Sequence, residues 1–227
     1  MSIAIVIPAR RSSSRLKNKN ILKIKGVSLI DRVINFSKKI KFCKKIIITT
    51  DIPKSKINFD QKEIIFVKRP KYLAGNKSKI YETVIYIDRY LKKKKKLKIK
   101  SILMLQPTSP FRSINQINKA YKIFKKNKMK FSLISLTEIK SEKSQKNHLR
   151  LFNIKKNRLF LQNEKNNKKK LKRFMANGNF YFASINFLKR NKSFVDDKNT
   201  IPFIINNKKL SIDIDERKDY LYAKKKA

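Results

Sequence analysis

The sequence predicts an α/β fold, a mostly parallel sheet with helices on both faces. Three observations carry that reading. Short β-rich runs alternate with segments of helical periodicity along most of the chain. The runs III (Ile46 to Ile48) and ILML (Ile102 to Leu105) are apolar without alternation, as strands covered on both faces are. Polar, basic segments follow directly after the strands, where a parallel sheet collects them at one edge.

The elements follow in order. Ile3 to Ile7 reads as a buried strand, and Ser28 to Ile40 as a helix because Leu29, Ile30, Val33, Ile34 and Phe36 recur near helical spacing. Ile46 to Thr50 and Ile64 to Val67 are strands, the first ending at Asp51 and Pro53. Ser78 to Leu91 is a helix with Ile80, Val84, Ile87 and Leu91 inward. Ile102 to Leu105 runs as a strand into Gln106-Pro107, followed by a helix over Ile114 to Phe124 and a strand over Phe131 to Leu136. Glu138 to Leu171 is highly charged, with a β-hairpin expected around Asn153 to Asn157, and reads as an arm or lid. Asn179 to Ile185 and Pro202 to Ile205 are strands, and Asp215 to Lys224 a closing helix. No internal repeat interrupts this order, so a single domain over 1–227 is expected.

Bulk composition narrows the function classes. The 227 residues, 41% of them hydrophobic, can bury a sizeable core. No apolar run reaches the roughly 18 residues of a membrane span, and Met1 to Ile7 lacks the build of a signal peptide. A single cysteine, Cys43, excludes an internal disulfide and a cysteine-based zinc site. A cytoplasmic location is the expectation. The net charge of +45 has two readings. One is nucleic-acid binding through counterion release. The other is compositional drift in an AT-rich genome, with solvated basic faces. The lysines are dispersed rather than gathered beside stacking aromatics, which favours drift and no specific nucleic-acid partner.

Certain segments carry chemistry. IPARRSSSRLKNKN, Ile7 to Asn20, packs arginines, lysines and serines into the loop after the first strand. Backbone N–H groups at such a turn form an anion site that cations complete, although a solvated basic loop would look similar. The glycines of a P-loop or dinucleotide fingerprint are missing. LQPTSPFR, Leu105 to Arg112, is a proline-stiffened turn offering Gln106, Thr108 and Ser109, or else a turn with a helix cap. In SIDIDERKDY, Ser211 to Tyr220, strand alternation would put Asp213 and Asp215 on one face. Paired hard oxygen ligands suit Mg²⁺, and the alternative is a helix cap by Asp215 beside a surface Asp213.

Together these motifs resemble the acylneuraminate cytidylyltransferases, the CMP-sialic acid or CMP-nonulosonic acid synthetases. Ile7-Pro8-Ala9-Arg10 and Lys19-Asn20 match the family's opening, Ser13 falls on its serine, and LQPTSPFR matches almost letter for letter. RPKYLAGNKS (Arg69 to Ser78), Asn177-Gly178 and IDID resemble its later motifs in order. The resemblance implies a Rossmann-like nucleotide-diphospho-sugar transferase fold. It also implies Mg²⁺-dependent transfer of CMP from CTP to a nonulosonic acid with release of pyrophosphate. Carried over residue by residue, Arg10 and Lys19 hold the triphosphate. Ala9, Ser13 and Asn20 complete that loop, and Arg69 with Ser78 holds the cytidine. Gln106, Thr108, Ser109, Asn177, Gly178 and Tyr181 border the acceptor, and Asp213 and Asp215 hold Mg²⁺. Either carboxylate could assist removal of the attacking proton. Family members usually dimerise, so the segment 138–171 is the expected dimerisation arm.

The chain departs from the family at several positions. Arg11 and Ser12 replace two glycines, and a turn needing positive φ would be strained there. Asn76 replaces an aspartate. The arginine before Asn-Gly is lost from Phe174-Met175-Ala176-Asn177, leaving Arg173 as a substitute. Lys143 or Lys146 would stand in for an absent His-Pro-Lys acceptor element. His148 reads as surface and Cys43 as a small, partly buried residue. Phe180, Tyr181 and Phe182 all read as core by residue type, and only the alternation sets Tyr181 and Asn179 on a face distinct from Phe180 and Phe182. Two rival readings are a Kdo-type cytidylyltransferase, which shares IPAR and a Ser-Arg-Leu stretch, and a non-catalytic basic nucleic-acid-binding relative.

Overall fold

A computed structural model describes residues 2–75, 78–139, 151–155, 158–161 and 172–227. The strands are β1 (Ile3–Ala9), β2 (Lys23–Ile24), β3 (Val27–Ser28), β4 (Lys45–Thr50), β5 (Ile64–Lys68) and β6 (Ser101–Met104), then β7 (Ser132–Ile139), β8 (Leu151–Lys155), β9 (Arg158–Leu161), β10 (Arg173–Ser184) and β11 (Thr200–Ile204). The α-helices are α1 (Leu29–Ser37), α2 (Lys71–Ala74), α3 (Ile80–Lys95), α4 (Ile114–Lys126), α5 (Ile185–Asn191) and α6 (Arg217–Lys226).

The main sheet runs β11-β7-β10-β6-β1-β4-β5. β1 pairs in parallel with both β4 and β6, β4 with β5, and β7 with β11. Only β10 in this row runs antiparallel to its neighbours, β6 and β7. The direction of strand addition therefore reverses at β1, and the crevice beyond its carboxyl end is a topological switch point.

Alternation along β1 divides the core. Ile3, Ile5 and Ile7 pack with Ile30, Val33 and Ile34 of α1 and Ile117, Ala120 and Phe124 of α4. Ala4 and Val6 face Val84, Ile87 and Leu91 of α3 and Ile185, Phe187 and Leu188 of α5 on the other side. Both strand faces are thus covered by helices, which is why β1, β4 and β6 read as apolar runs. Asp88 of α3, almost fully buried, is paired with Lys92 at 2.8 Å and Lys189 of α5 at 3.2 Å, which ties the two helices together.

Several elements differ from the sequence expectations. α1 begins after Ser28, whose hydroxyl accepts from Asp31 N, and ends three residues before Ile40. A β2–β3 hairpin precedes it, turning at Lys25 and Gly26 with φ of 47° and 76°. β10 starts at Arg173 instead of Asn179, because Arg173 to Ala176 pair with Ile139 to Leu136 of β7. Ile185 opens α5 and does not end a strand; Ser184 caps that helix by accepting from Phe187 N. The IDID segment forms neither helix nor strand and lies outside the sheet, held by Ile214 N donating to Thr108 O at 2.8 Å. The hairpin expected around Asn153 to Asn157 forms as β8 and β9, and β8 pairs with β10. Glu138 and Ile139, expected to open the charged arm, instead end β7; the rest of that segment, with Lys143, Lys146 and His148, lies outside the described residues, as does Asn76.

Candidate active site

The carboxyl ends of β1, β4, β5 and β6 bring Arg10, Asp51, Arg69 and Gln106 to one edge. β10 arrives antiparallel, with Tyr181 opposite Met104, so the residues before Tyr181 reach the same edge. A cavity of about 370 Å³ opens there. Of the residues singled out from sequence, Arg10, Lys19, Asn20, Arg69, Ser78, Gln106, Thr108, Tyr181, Asp213 and Asp215 line it.

The first loop forms one wall. Asn20 is buried and donates through Nδ2 to Arg10 O at 2.8 Å, closing the loop on itself. Arg11 N donates to Asp51 Oδ1 at 2.6 Å, which pins the loop to the end of β4. Strain at Arg11 and Ser12 does not arise, because neither adopts positive φ. The left-handed residue is Asn18, at φ 53°, a residue type that tolerates that region. Lys19 follows at the start of a short 3₁₀ turn, buried, and points into the cavity. Arg10 Nη1 crosses to Gly75 O at 3.4 Å.

Lys19 Nζ and Arg15 Nη2 both donate to Asp215 Oδ1, at 3.0 and 3.1 Å. The aspartates reach the cavity because Ile212 and Ile214 alternate with them and bury against Ile24, Leu29, Phe111 and Ala223. The alternation read from sequence holds although the segment is no strand. Asp215 does not cap α6: Glu216 is the N-cap, and Asp219 Oδ2 completes a capping box by accepting from Glu216 N and also from Asp215 N, both at 2.9 Å.

The acceptor-side residues divide. Gln106 and Thr108 line the cavity, whereas Ser109 is buried beneath it and donates to Asn177 O at 3.1 Å. Asn177 is also buried; its Oδ1 accepts from Ser135 Oγ at 2.7 Å and its Nδ2 donates to Thr137 Oγ1 at 2.9 Å. These bonds hold a bulge, since the β10–β7 register shifts between Ala176 and Tyr181. Gly178 sits in it at φ +71°, and a Cβ there would lie 2.8 Å from Ser109 Oγ and 2.9 Å from Gln106 Oε1. Tyr181 faces the cavity, opposite in direction to Phe180 and Phe182, which join the core below. Asn179, expected beside Tyr181, instead donates through Nδ2 to Phe111 O and Leu210 O, because the bulge breaks the alternation.

Ala9 is buried in the core at the end of β1 and does not line the cavity. Ser13 borders a neighbouring depression with Arg11, Lys17, Asp51 and Gly75. Ala176 lines the cavity, while Arg173 begins β10 opposite Ile139, away from the lining residues. Arg15 was not separable from its basic neighbours by sequence. Sequence alone assigns no role to Arg112, the last residue of LQPTSPFR. Its guanidinium donates to Asn179 O at 2.9 Å and to Ser109 O and Gln106 O, clamping the loop to β10.

Burial sets the electrostatics. It lowers the Arg69 guanidinium to about 10, opposed by Asp51 and reinforced by Arg10. It lowers Arg112 to about 9, opposed by Asp213. Both stay cationic at neutral pH. Burial, with Asp213 adding, pushes the Tyr181 phenol well above its ordinary value, so it remains a neutral donor. Among the described residues no group of three or more His, Cys, Asp or Glu gathers as a metal site. A dication held by Asp213 and Asp215 would therefore complete its shell with substrate oxygens and water, as Mg²⁺ commonly does.

The edge thus carries a basic wall, a carboxylate pair and a neutral hydrogen-bonding wall at a switch point, the place where open α/β sheets take their ligands. The family model described as Cytidylyltransferase matches residues 4–226, and the chain belongs to that family. It is 32% identical over 115 residues to "N-acylneuraminate cytidylyltransferase" of Escherichia coli O18:K1:H7 (strain RS218 / NMEC), a match covering 48% of this chain and 25% of that relative. It is 34% identical over 114 residues to "CMP-N,N'-diacetyllegionaminic acid synthase" of Legionella pneumophila subsp. pneumophila (strain Philadelphia 1 / ATCC 33152 / DSM 7513), covering 49% and 48%. The aligned part thus spans half or less of each curated relative. Among solved structures, a CMP:2-keto-3-deoxy-manno-octonic acid synthetase complexed with CTP superposes with a TM-score of 0.75 at 13% identity, covering 99% of this chain and 98% of that one. A 4-diphosphocytidyl-2C-methyl-D-erythritol synthase from Anaerococcus prevotii DSM 20548 gives 0.60 at 13% identity, covering 99% and 95%. These likenesses establish the nucleotidyltransferase fold.

Proposed function

We propose that the protein transfers CMP from CTP to a nonulosonic acid of the sialic, legionaminic or pseudaminic type, releasing pyrophosphate. The observation that carries this is the convergence of Arg10, Lys19, Arg69, Gln106, Tyr181, Asp213 and Asp215 on one cavity. The names of the two curated relatives support the acceptor class. The CTP-bound structural neighbour is a synthetase for a related 2-keto acid, so a Kdo-type acceptor is the second reading.

Charge supports the donor. Arg10, Arg15, Lys19 and Arg69 line the cavity against Asp213 and Asp215, an excess of two positive charges. A nucleoside triphosphate with one magnesium carries roughly two net negative charges. Mg²⁺ fits the two carboxylates and, when bound, neutralises phosphate charge. Arg10 and Lys19 hold the phosphates, and Arg69, stiffened by Nη2 donating to Thr49 O at 3.3 Å, borders the nucleoside. Gln106, Thr108 and the Tyr181 hydroxyl orient the acceptor. Its anomeric oxygen bonds to the α-phosphorus, the bridging bond to the β-phosphate breaks, and pyrophosphate leaves with that electron pair. Asp213 or Asp215 receives the attacking proton. The chain's contribution is positioning and charge neutralisation. A homodimer, with 138–171 as the contacting arm, belongs to the same reading.

Calorimetric titration with CTP, UTP, GTP and ATP tests the donor site. CTP should bind best, and Lys19→Ala should weaken it about tenfold or more. Equal binding of all four, untouched by Lys19→Ala, would contradict the reading.

A further inference from the structure

Asp215 is committed in a way that matters for a metal-binding carboxylate. Two cations share one of its oxygens, Oδ1: Lys19 Nζ at 3.0 Å and Arg15 Nη2 at 3.1 Å. They are not equivalent. The Lys19 side chain is 11% exposed and held inside the wall, while that of Arg15 is 41% exposed on the loop. A dication approaching Asp215 meets two positive charges already at its ligand, and at that range like charges repel strongly in a half-buried cavity. Arginine also prefers phosphate, which its planar fork can grip through two parallel bonds.

We propose that Arg15 locks Asp215 in the nucleotide-free protein and releases it when a triphosphate offers the guanidinium a better partner. This rests on reading the cavity as a triphosphate and magnesium site. Arg15 is then a further substrate-binding residue and the origin of coupling between the two ligands. Nucleotide draws Arg15 off Asp215, and the metal then meets the carboxylate beside one cation instead of two. Lys19 stays beside Asp215 in the wall, so removing Arg15 lifts the lock only in part.

The coupling gives Arg15→Gln effects of opposite sign on the two ligands. Mn²⁺ binding without nucleotide, followed by electron paramagnetic resonance, should tighten about threefold to tenfold. CTP binding in EDTA, followed by calorimetry, should weaken by a similar factor. Asp215→Asn should lose the Mn²⁺ signal in either background, and an unchanged Tm for Arg15→Gln keeps the comparison sound. If Mn²⁺ affinity fails to rise, or both affinities fall together, Arg15 only shapes the loop and the lock is wrong. Failure of the unaltered protein to bind CTP would sink the functional reading instead; tighter Mn²⁺ binding by Arg15→Gln would even then uphold the Arg15–Asp215 lock.

Discussion

At Gly178 the absence of a single methyl group lets Ser109 and Gln106 approach the backbone closely. The residue needs φ +71°, and a Cβ would stand within 3 Å of Ser109 Oγ and Gln106 Oε1. Gly178→Ala should cost about 1–3 kcal/mol in urea unfolding and displace Gln106 from the cavity wall. An unfolding midpoint equal to that of the parent chain would show that the bulge relaxes freely. Cys43 makes a different point about residues. Burial raises its thiol above the ordinary value of 9.0, so the folded chain keeps a proton that the unfolded chain sheds. Its stability contribution is complete below pH 9 and is lost as pH rises beyond that. Cys43→Ala should flatten the fall in Tm between pH 9 and higher pH, and native Cys43 should react with a disulfide reagent at pH 8 at least about tenfold more slowly than in urea. Rapid native reaction would mean that the half-buried thiol is open to solvent.

Among elements, the loop after β6 is held from behind rather than by its own prolines. Arg112 fastens Gln106 O, Ser109 O and Asn179 O together, and Ile214 N fastens Thr108 O. Arg112→Met would leave those carbonyls without their charged donor and Asp213 without its neighbour. A loss of about 2–4 kcal/mol is expected, with Arg112→Lys recovering part of it. Equal stability of Arg112→Met and the parent chain would remove the clamp. The elements also show what sequence can tell. β1, β4 and β6 were legible because burial on both faces leaves an uninterrupted apolar run. The start of β10 was not, since RFMA gains its strand character from distant β7. α5 has only seven residues, too short for a periodic signal to stand out. The lining of the cavity was legible where a motif follows a strand end, as at Arg10 and Gln106, and through side-chain alternation at Asp213. Arg15 was hidden among equivalent cations, and Ser109 and Asn177 proved to be supports whose burial no spacing could announce.

Taken whole, the molecule carries a net charge of +45 around a cavity whose excess is only two. Self-repulsion of that size is screened over roughly 10 Å at 0.1 M salt. Tm should therefore rise by several degrees between about 0.01 and 0.15 M salt, and any binding to duplex DNA should fall steeply over the same range. A Tm insensitive to salt would mean the cations are already balanced in the fold. Among the described residues no helix is long and apolar enough to cross a membrane. The nucleic-acid reading thus competes with catalysis on a measurable property, turnover. The most direct measurement is pyrophosphate release from CTP and Mg²⁺ across a panel of nonulosonic acids and Kdo, with Asp213→Asn alongside. Release with a nonulosonic acid, abolished in Asp213→Asn, is the expected result. Release with Kdo alone would transfer the protein to the second acceptor class, and no release with any acceptor would contradict the cavity's assignment as a cytidylyl-transfer site.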